Sequence, residues 1–476
     1  MLPRPPDAPQ HAHHPAGSRI ADWGPLVACC LATFLLLAYT TIVTVSVSQI
    51  VDDLGATFTV GQWIISAYTL GLAALVVALG TMGDRIGHRQ LFLLGLGVFG
   101  AASMACGAAP SGGLLVTARA VQGLGGAALF ATAVPLLTQC YRARRRAVAF
   151  AVWGALAGAG STVGTVAGGA VTQYLSWRWL FIGALPLCVL AIVVGAVTLP
   201  RARTCGALVD WCGTALITIA MTGLVFGVIN AGEAGWSSAK TLWGVAISVA
   251  SVAMFLPVQR RVSHPVLPAD LFATRSFSAV LITGFTYYFA AFAALPTLSH
   301  WLQTTHGMRP LHAALVLTIQ LLAFIATALM LSPLLHDASR SWVLGGGTAL
   351  VGLACLSGTA LLLRPQWSTL IAVLVLTGIG AGVVSPVLPA FAAMSAPAER
   401  AGTAAAAANA ARQLGLTLGI AACGALAEMA QPGPESSTHG VVTVLLMCSV
   451  VALLGGALGG RLLHQTTDRD VVGAPE

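Results

Sequence analysis

The sequence predicts an all-α membrane protein of fourteen transmembrane helices. Charged residues fill 8% of its 476 positions, against roughly 25% in an ordinary soluble domain. Hydrophobic residues fill 57%, so lipid rather than water solvates most of the surface. Fourteen runs of about 20 residues carry few or no charges, each long enough to cross a hydrocarbon core of roughly 30 Å as a helix that satisfies its own backbone polar groups. The alternating segments of a membrane β-barrel are not seen.

The runs begin near Leu26, Val60, Leu91, Gly113, Ala147, Trp179, Cys212, Thr241, Phe277, Leu311, Trp342, Trp367, Gly402 and Gly440. Residues 1–25 are rich in Pro and His and predict a disordered tail, with "HAHH" at 11–14 a solvated stretch rather than a metal site. The first run is too long for a signal-peptide core, and the small-residue "LVAC" at 26–29 precedes it instead of following it. Residues 26–200 hold six runs and predict one six-helix bundle. Residues 201–275 hold two more, bracketing the loop "NAGEAGWSSAK" at 230–240. Residues 276–464 hold the last six, a second bundle, and 465–476 form a closing tail. The loop "MGDRIGHR" after the second run has an echo in "LHDASRSW" after the tenth, as expected of parallel repeats. The ten cysteines lie mostly inside the runs without C-x-x-C spacing and read as small packing residues.

Fourteen crossings place both termini on one side. With both tails inside, 17 of the 23 basic residues fall in interior segments, among them Arg85, Arg89, Arg142 and Arg144 to Arg146, while the exterior loops carry four, Arg178, Lys240, Arg309 and Arg364. That asymmetry predicts cytoplasmic termini. It also accounts for the net charge of +8 as topology bias, with no nucleic-acid partner required. Arginine outnumbers lysine 22 to 1 and Ala and Gly abound, a composition that points to a GC-rich bacterial genome.

Two arginines fall inside runs, where a charge costs about 2.5–3.5 kcal/mol on insertion scales. Arg119 shares a helix face with Gln122, and Gly123 and Gly126 leave room there for a neighbouring helix. It lies shallow enough to reach the exterior surface, roughly 9 Å at helical rise. Arg412 is deeper, with Asn409 and Gln413 within one turn, so it pairs across the bundle or faces an aqueous cavity. Gly160, Gly164 and Gly168 recur every fourth residue and predict a smooth ridge for close helix contact. In "GTMGDRIGHRQ" at 80–90, Gly80, Gly83 and Gly87 permit a tight turn, and Asp84, Arg85 and Arg89 supply charge. Asp84 held against a helix N-terminus or an arginine would make a breakable latch of about 1–3 kcal/mol. Tyr39, Trp63, Tyr68, Gln303, Gln320, Asn409 and Gln413 are candidate cavity residues, Gln303 and Gln320 foremost because an amide in lipid needs a partner. No Asp or Glu falls in the middle of a run; Asp210, Glu233 and Glu428 lie near run ends.

"GTMGDRIGHRQ" resembles the loop signature of the major facilitator superfamily, roughly G-x-L-[AG]-D-[RK]-x-G-[RK]-[RK], with Met82 in the Leu place and His88 in a basic place. "ARAVQGLGGAA" at 118–128 is similar to that superfamily's fourth-helix signature. "QWIISAYTL" (62–70), "SWRWLFIGALP" (176–186), "HPVLPADLF" (264–272) and "ARQLGLTLGIA" (411–421) resemble landmarks of its fourteen-helix drug:proton antiporter branch. The likeness runs from about residue 26 to 463 and implies the major facilitator fold: two six-helix bundles plus two inserted central helices. It implies proton transfer at Arg119, with Gln122 and Arg412 as relay candidates. It also implies an antiporter signature around Gly164. Three departures stand out: Thr165 occupies the usual proline place, Tyr39 the usual aspartate place and Thr44 the usual asparagine place.

The expected function is therefore non-enzymatic: export of small, mostly hydrophobic organic molecules, drugs and antibiotics among them, by alternating access. The expected energy source is the proton gradient, with no bound cofactor or metal. The expected partners are a small-molecule substrate and the lipid bilayer of a bacterial cytoplasmic membrane, the carrier acting as a monomer. Export of an organic anion, or uncoupled export, is the alternative that two arginines without a central acid suggest. A receptor on the same scaffold is the remote one, and no nucleophile–base pair, phosphate loop or signalling domain speaks for it.

Overall fold

The computed structural model describes residues 19–201, 208–335, 339–397, 400–429 and 434–472. Within them lie fourteen helical spans long and apolar enough to cross a membrane. In chain order they are α1 (Trp23–Asp53), α2 (Phe58–Ile86), α3 (His88–Gly107), α4 (Gly112–Cys140), α5 (Arg144–Tyr174), α6 (Arg178–Thr198) and α7 (Trp211–Ala234), followed by α8 (Ala239–Arg261). Then come α9 (Arg275–Thr304), α10 (Pro310–Leu331), α11 (Trp342–Leu362), α12 (Trp367–Met394), α13 (Ala401–Met429) and α14 (Ser437–Gln465). The helical backbone of the first span starts at Arg19, inside the stretch expected as tail, and that of the last runs on to Val472. The "HAHH" stretch and Asp337 lie outside the described residues.

The two halves repeat one packing pattern at an offset of eight spans. In the first, α1 packs on α5 and α6, and α4 on α2 and α3; in the second, α9 packs on α13 and α14, and α12 on α10 and α11. The halves meet through α2 against α13 and α5 against α10, the exchange a two-fold relation requires. The hairpin α7–α8 is fastened internally at Gly223, Gly227 and Gly244, and α7 packs on α2 and α13 from outside. Large apolar side chains point away from the bundle, with Val197 81%, Met330 77% and Leu363 87% exposed. Lipid is the medium that suits such a surface.

Small residues set the closest contacts. A methyl group on Gly160, Gly164 or Gly168 would lie 2.7, 2.5 or 2.4 Å from the carbonyl oxygens of Phe34, Ala38 and Ile42. The ridge read from the sequence is thus the seam along which α5 meets α1 backbone to backbone. Gly123 does the same for α4 on α2, a methyl there falling 2.5 Å from Tyr68 O, while Gly126 faces the side chains of Tyr68 and Leu72.

Prolines interrupt two spans. In α12 the helix stops at Val384, passes through Ser385, Pro386 and Val387, and resumes at Leu388. In α9 it stops at Phe292, turns at Ala293 and Ala294, and resumes before Pro296. A proline lacks the N–H and clashes with the carbonyl four residues back, so each break follows from local sequence.

Candidate functional site

The polar groups of the first half converge on Arg119, which is 0% exposed. Its Nε donates to Ile64 O (3.0 Å), Nη1 to Gln122 Oε1 (2.6 Å) and Nη2 to Tyr39 O (3.2 Å). Gln122 Nε2 in turn donates to Ser103 Oγ (2.7 Å). The guanidinium carbon lies 4.2 Å from the Tyr68 ring centroid, and Tyr68 Oη donates to Leu36 O (2.7 Å). Tyr39 turns its hydroxyl to Leu180 O. Arg119 therefore does not reach the surface; it rivets α1 and α2 to α4. An aspartate at position 39 would have brought a carboxylate into this helix. With tyrosine there, the charge is spread over two backbone carbonyls, an amide oxygen and a π face.

Arg412 in the second half is held differently. Its Nη1 donates to Asn409 Oδ1 (3.2 Å), and Nη2 to Tyr288 Oη (3.0 Å) and Ser385 Oγ (3.4 Å). Its Nε is buried without a partner, as is Gln413 Oε1, and the Tyr287 hydroxyl is buried beside that of Ser385. The guanidinium carbon lies 4.5 Å from the Tyr288 ring centroid and 5.8 Å from that of Tyr287. Ser385 stands at the break in α12. Among the described residues, the ion pairs found are His88–Asp84, Arg178–Asp53 and Arg400–Asp270, so no carboxylate neutralises Arg412.

The other amides serve the frame. Gln320 Nε2 donates to Ala291 O at the approach to the break in α9, supporting that break. Gln303 Nε2 reaches from α9 to Val45 O on α1 (3.0 Å), tying the two halves together. Trp63 packs on Phe226 of α7 at 6.3 Å between ring centroids. Sequence reading missed several ties of this kind. Ser48 Oγ meets His300 Nδ1 (3.1 Å), Gln173 accepts from Leu311 N (3.3 Å), and Thr417 Oγ1 donates to Thr69 Oγ1 (2.8 Å). Thr59 donates to Glu233 of the inserted hairpin (3.0 Å). These half-to-half bonds run from the end that carries the loops 54–57 and 305–309 to the middle of the bundle. At that end the "SWRW" landmark also resolves, Trp177 Nε1 and Arg178 Nη1 both donating to Asp53 Oδ2.

The α2–α3 loop is shorter than its glycines suggest. Helix continues through Asp84, Arg85 and Ile86, and Gly87 alone makes the joint, at φ 97° in the left-handed region. Gly83 makes room for the His88 ring, whereas Gly80 faces open space. Asp84 Oδ1 meets His88 Nε2 at 3.1 Å within its own loop, and not an arginine or a helix end. Arg85 is exposed, and Arg89 donates to Ala196 O in the last turn of α6 (2.6 Å). A pair of this type, with Asp84 exposed and His88 buried, is worth about 0.2–1 kcal/mol. Asp84→Asn is accordingly expected to slow transport about two- to five-fold while membrane insertion stays normal; uptake and efflux of a fluorescent substrate in whole cells measure it, and an unchanged rate removes the latch.

Two helical bundles of one design, joined across their faces and holding charge at their cores, define a membrane carrier. A family model described as the Major Facilitator Superfamily matches residues 29–209 and 280–475. The chain belongs to that superfamily and is a transporter, not an enzyme. It is 29% identical over 469 residues to the methylenomycin A resistance protein of Streptomyces coelicolor, covering 98% of both chains. It is 32% identical over 470 residues to the puromycin resistance protein pur8 of Streptomyces alboniger, covering 94% of this chain and 92% of the relative. To the multidrug efflux pump LfrA of Mycolicibacterium smegmatis it is 30% identical over 409 residues, covering 85% and 80%. Among solved structures, a peptide transporter POT in complex with sulfate superposes with a TM-score of 0.69 at 15% identity, over 93% of this chain and 95% of that one. That last likeness speaks to the fold.

Proposed function

We propose that this protein exports small, mostly hydrophobic organic compounds, including antibiotics, from the bacterial cytoplasm in exchange for protons. The observation that carries the reading is end-to-end similarity to proteins named for antibiotic resistance and multidrug efflux. The geometry supports it. Half-to-half hydrogen bonds gathered from one end to the middle suit a carrier that is shut at that end and rocks about its centre. The basic-residue asymmetry supports reading the other end, with Gly87 and Arg142 to Arg146, as the cytoplasmic one, with both termini in the cytoplasm. A bundle core of apolar and aromatic side chains with few fixed polar groups suits hydrophobic cargo.

Proton exchange needs a group that gains and loses a proton during the cycle. Glu428, whose Oε2 is buried without a partner near the end of α13, is the carboxylate placed to serve. The test is a panel of toxic compounds against cells with and without the protein, repeated with an uncoupler. Expressing cells are expected to tolerate several-fold higher concentrations of some compounds, and the uncoupler is expected to erase that gain. No gain for any compound overturns export; a gain that survives the uncoupler overturns proton coupling alone.

A further inference from the structure

From the contrast between the two buried arginines we infer that Arg412 seats an anionic group of the transported molecule, a carboxylate or phenolate carried on an aromatic body. The inference rests on the export reading and names the substrate class at the carrier's centre.

Arg119 has all three of its nitrogens donating to fixed acceptors, two of them backbone carbonyls. Such a cation is spoken for. Arg412 keeps an unpartnered Nε and meets a single amide and two hydroxyls. Tyr288 and Ser385 accept from the guanidinium through oxygen, which leaves the proton of each hydroxyl to be donated elsewhere. The Tyr287 hydroxyl beside them is buried and has only the Ser385 hydroxyl within reach, so that pair of hydroxyls still keeps one proton to donate. Around one uncompensated positive charge, then, N–H and O–H donors outnumber acceptors, and the missing complement is an anion with several lone pairs.

Two further features fit that complement. The break in α12 at Ser385–Val387 puts irregular backbone at membrane depth, which is tolerated where it is buried in protein or lines a cavity. An unbroken row of rings leads away from the cation. Tyr287 meets Tyr288 at 5.1 Å between centroids, Tyr288 meets Phe292 at 4.9 Å, and Phe292 meets Phe324 of α10 at 5.9 Å. Tyr288, Phe292 and Phe324 are only partly buried. Cation at one end and ring faces beyond it describe a seat for a flat apolar molecule with an acidic head.

The test uses an isosteric pair, 1-naphthoate and the neutral 1-naphthamide, binding to the full-length protein purified in detergent and followed by titration calorimetry. The wild type is expected to bind naphthoate about ten-fold more tightly than naphthamide. Arg412→Gln is expected to abolish that preference while the variant still binds naphthamide. Arg412→Lys is expected to retain part of it. Should Arg412→Gln not fold, Tyr288→Phe and Ser385→Ala carry the test, each expected to shrink the preference. Equal binding of the two probes by the wild type, or a preference that survives Arg412→Gln or both hydroxyl removals, overturns the proposal. Resistance of expressing cells plays no part in these readouts. Export without a naphthoate preference therefore sinks the anion seat alone, and a preference without export sinks the export reading alone.

Discussion

Arg119→Leu is expected to leave little stable protein in the membrane and no transport. The substitution removes three hydrogen bonds at once: Gln122 Oε1 keeps its burial without its donor, and Ile64 O and Tyr39 O, which lie inside helices, lose their second one. Each lost hydrogen bond to the cation costs about 1.5–3 kcal/mol, and no water reaches a position that is 0% exposed. A sum of several kcal/mol is comparable with the whole stability of a typical protein. Arg119→Lys is expected to fall between, since an ammonium on a flexible stem cannot match the fork that reaches three acceptors on different helices. Size-exclusion profiles of detergent extracts after stepwise heating measure the loss. A leucine variant that melts with the wild type would show that the rivet does not hold α1, α2 and α4 together.

Gly168→Val is expected to be comparably damaging for the opposite reason, an excess of atoms. Its first methyl-bearing carbon would fall 2.4 Å from Ile42 O, and the obstacle is backbone, which cannot rotate away. Overpacking of side chains alone costs about 1–3 kcal/mol; against backbone the cost is expected at or above the top of that range, with α1 and α5 forced apart. Gly154→Ala, on the same helix with nothing within 4 Å of the added carbon, supplies the contrast. It is expected to behave as the wild type or to be slightly more stable, by about 0.5–1 kcal/mol. Equal yields of folded protein from the two variants would refute the seam.

The spans were legible because hydropathy and length are properties of single segments. Each of the fourteen predicted runs begins within a few residues of a helix. The glycine ridge was legible for a related reason: a four-residue repeat puts its members on one helix face whatever lies opposite. The α2–α3 loop was less so. Its three glycines look alike in sequence, yet only Gly87 leaves the helix, because helical bonding continues past Gly80 and Gly83. Gln303 and Gln320 read in the sequence as amides in need of partners, and each has a backbone one. Whether those partners were a ligand, a helix break or the opposite half was beyond the sequence, because the answering groups, Val45 O and Ala291 O, are backbone atoms that look the same at every position.

By itself, the sequence determined the solvent, the number of apolar spans and the pattern of charge between them, since each follows from local composition and helical periodicity. It also marked both buried arginines as requiring a reason. What only the tertiary structure decided was which of the two is already answered. Periodicity reports the neighbours of Arg119 and Arg412 along their own helices, Gln122 for one and Asn409 for the other. The groups that saturate the first and leave the second short of acceptors come from helices distant in the chain, and their meeting is settled by packing alone.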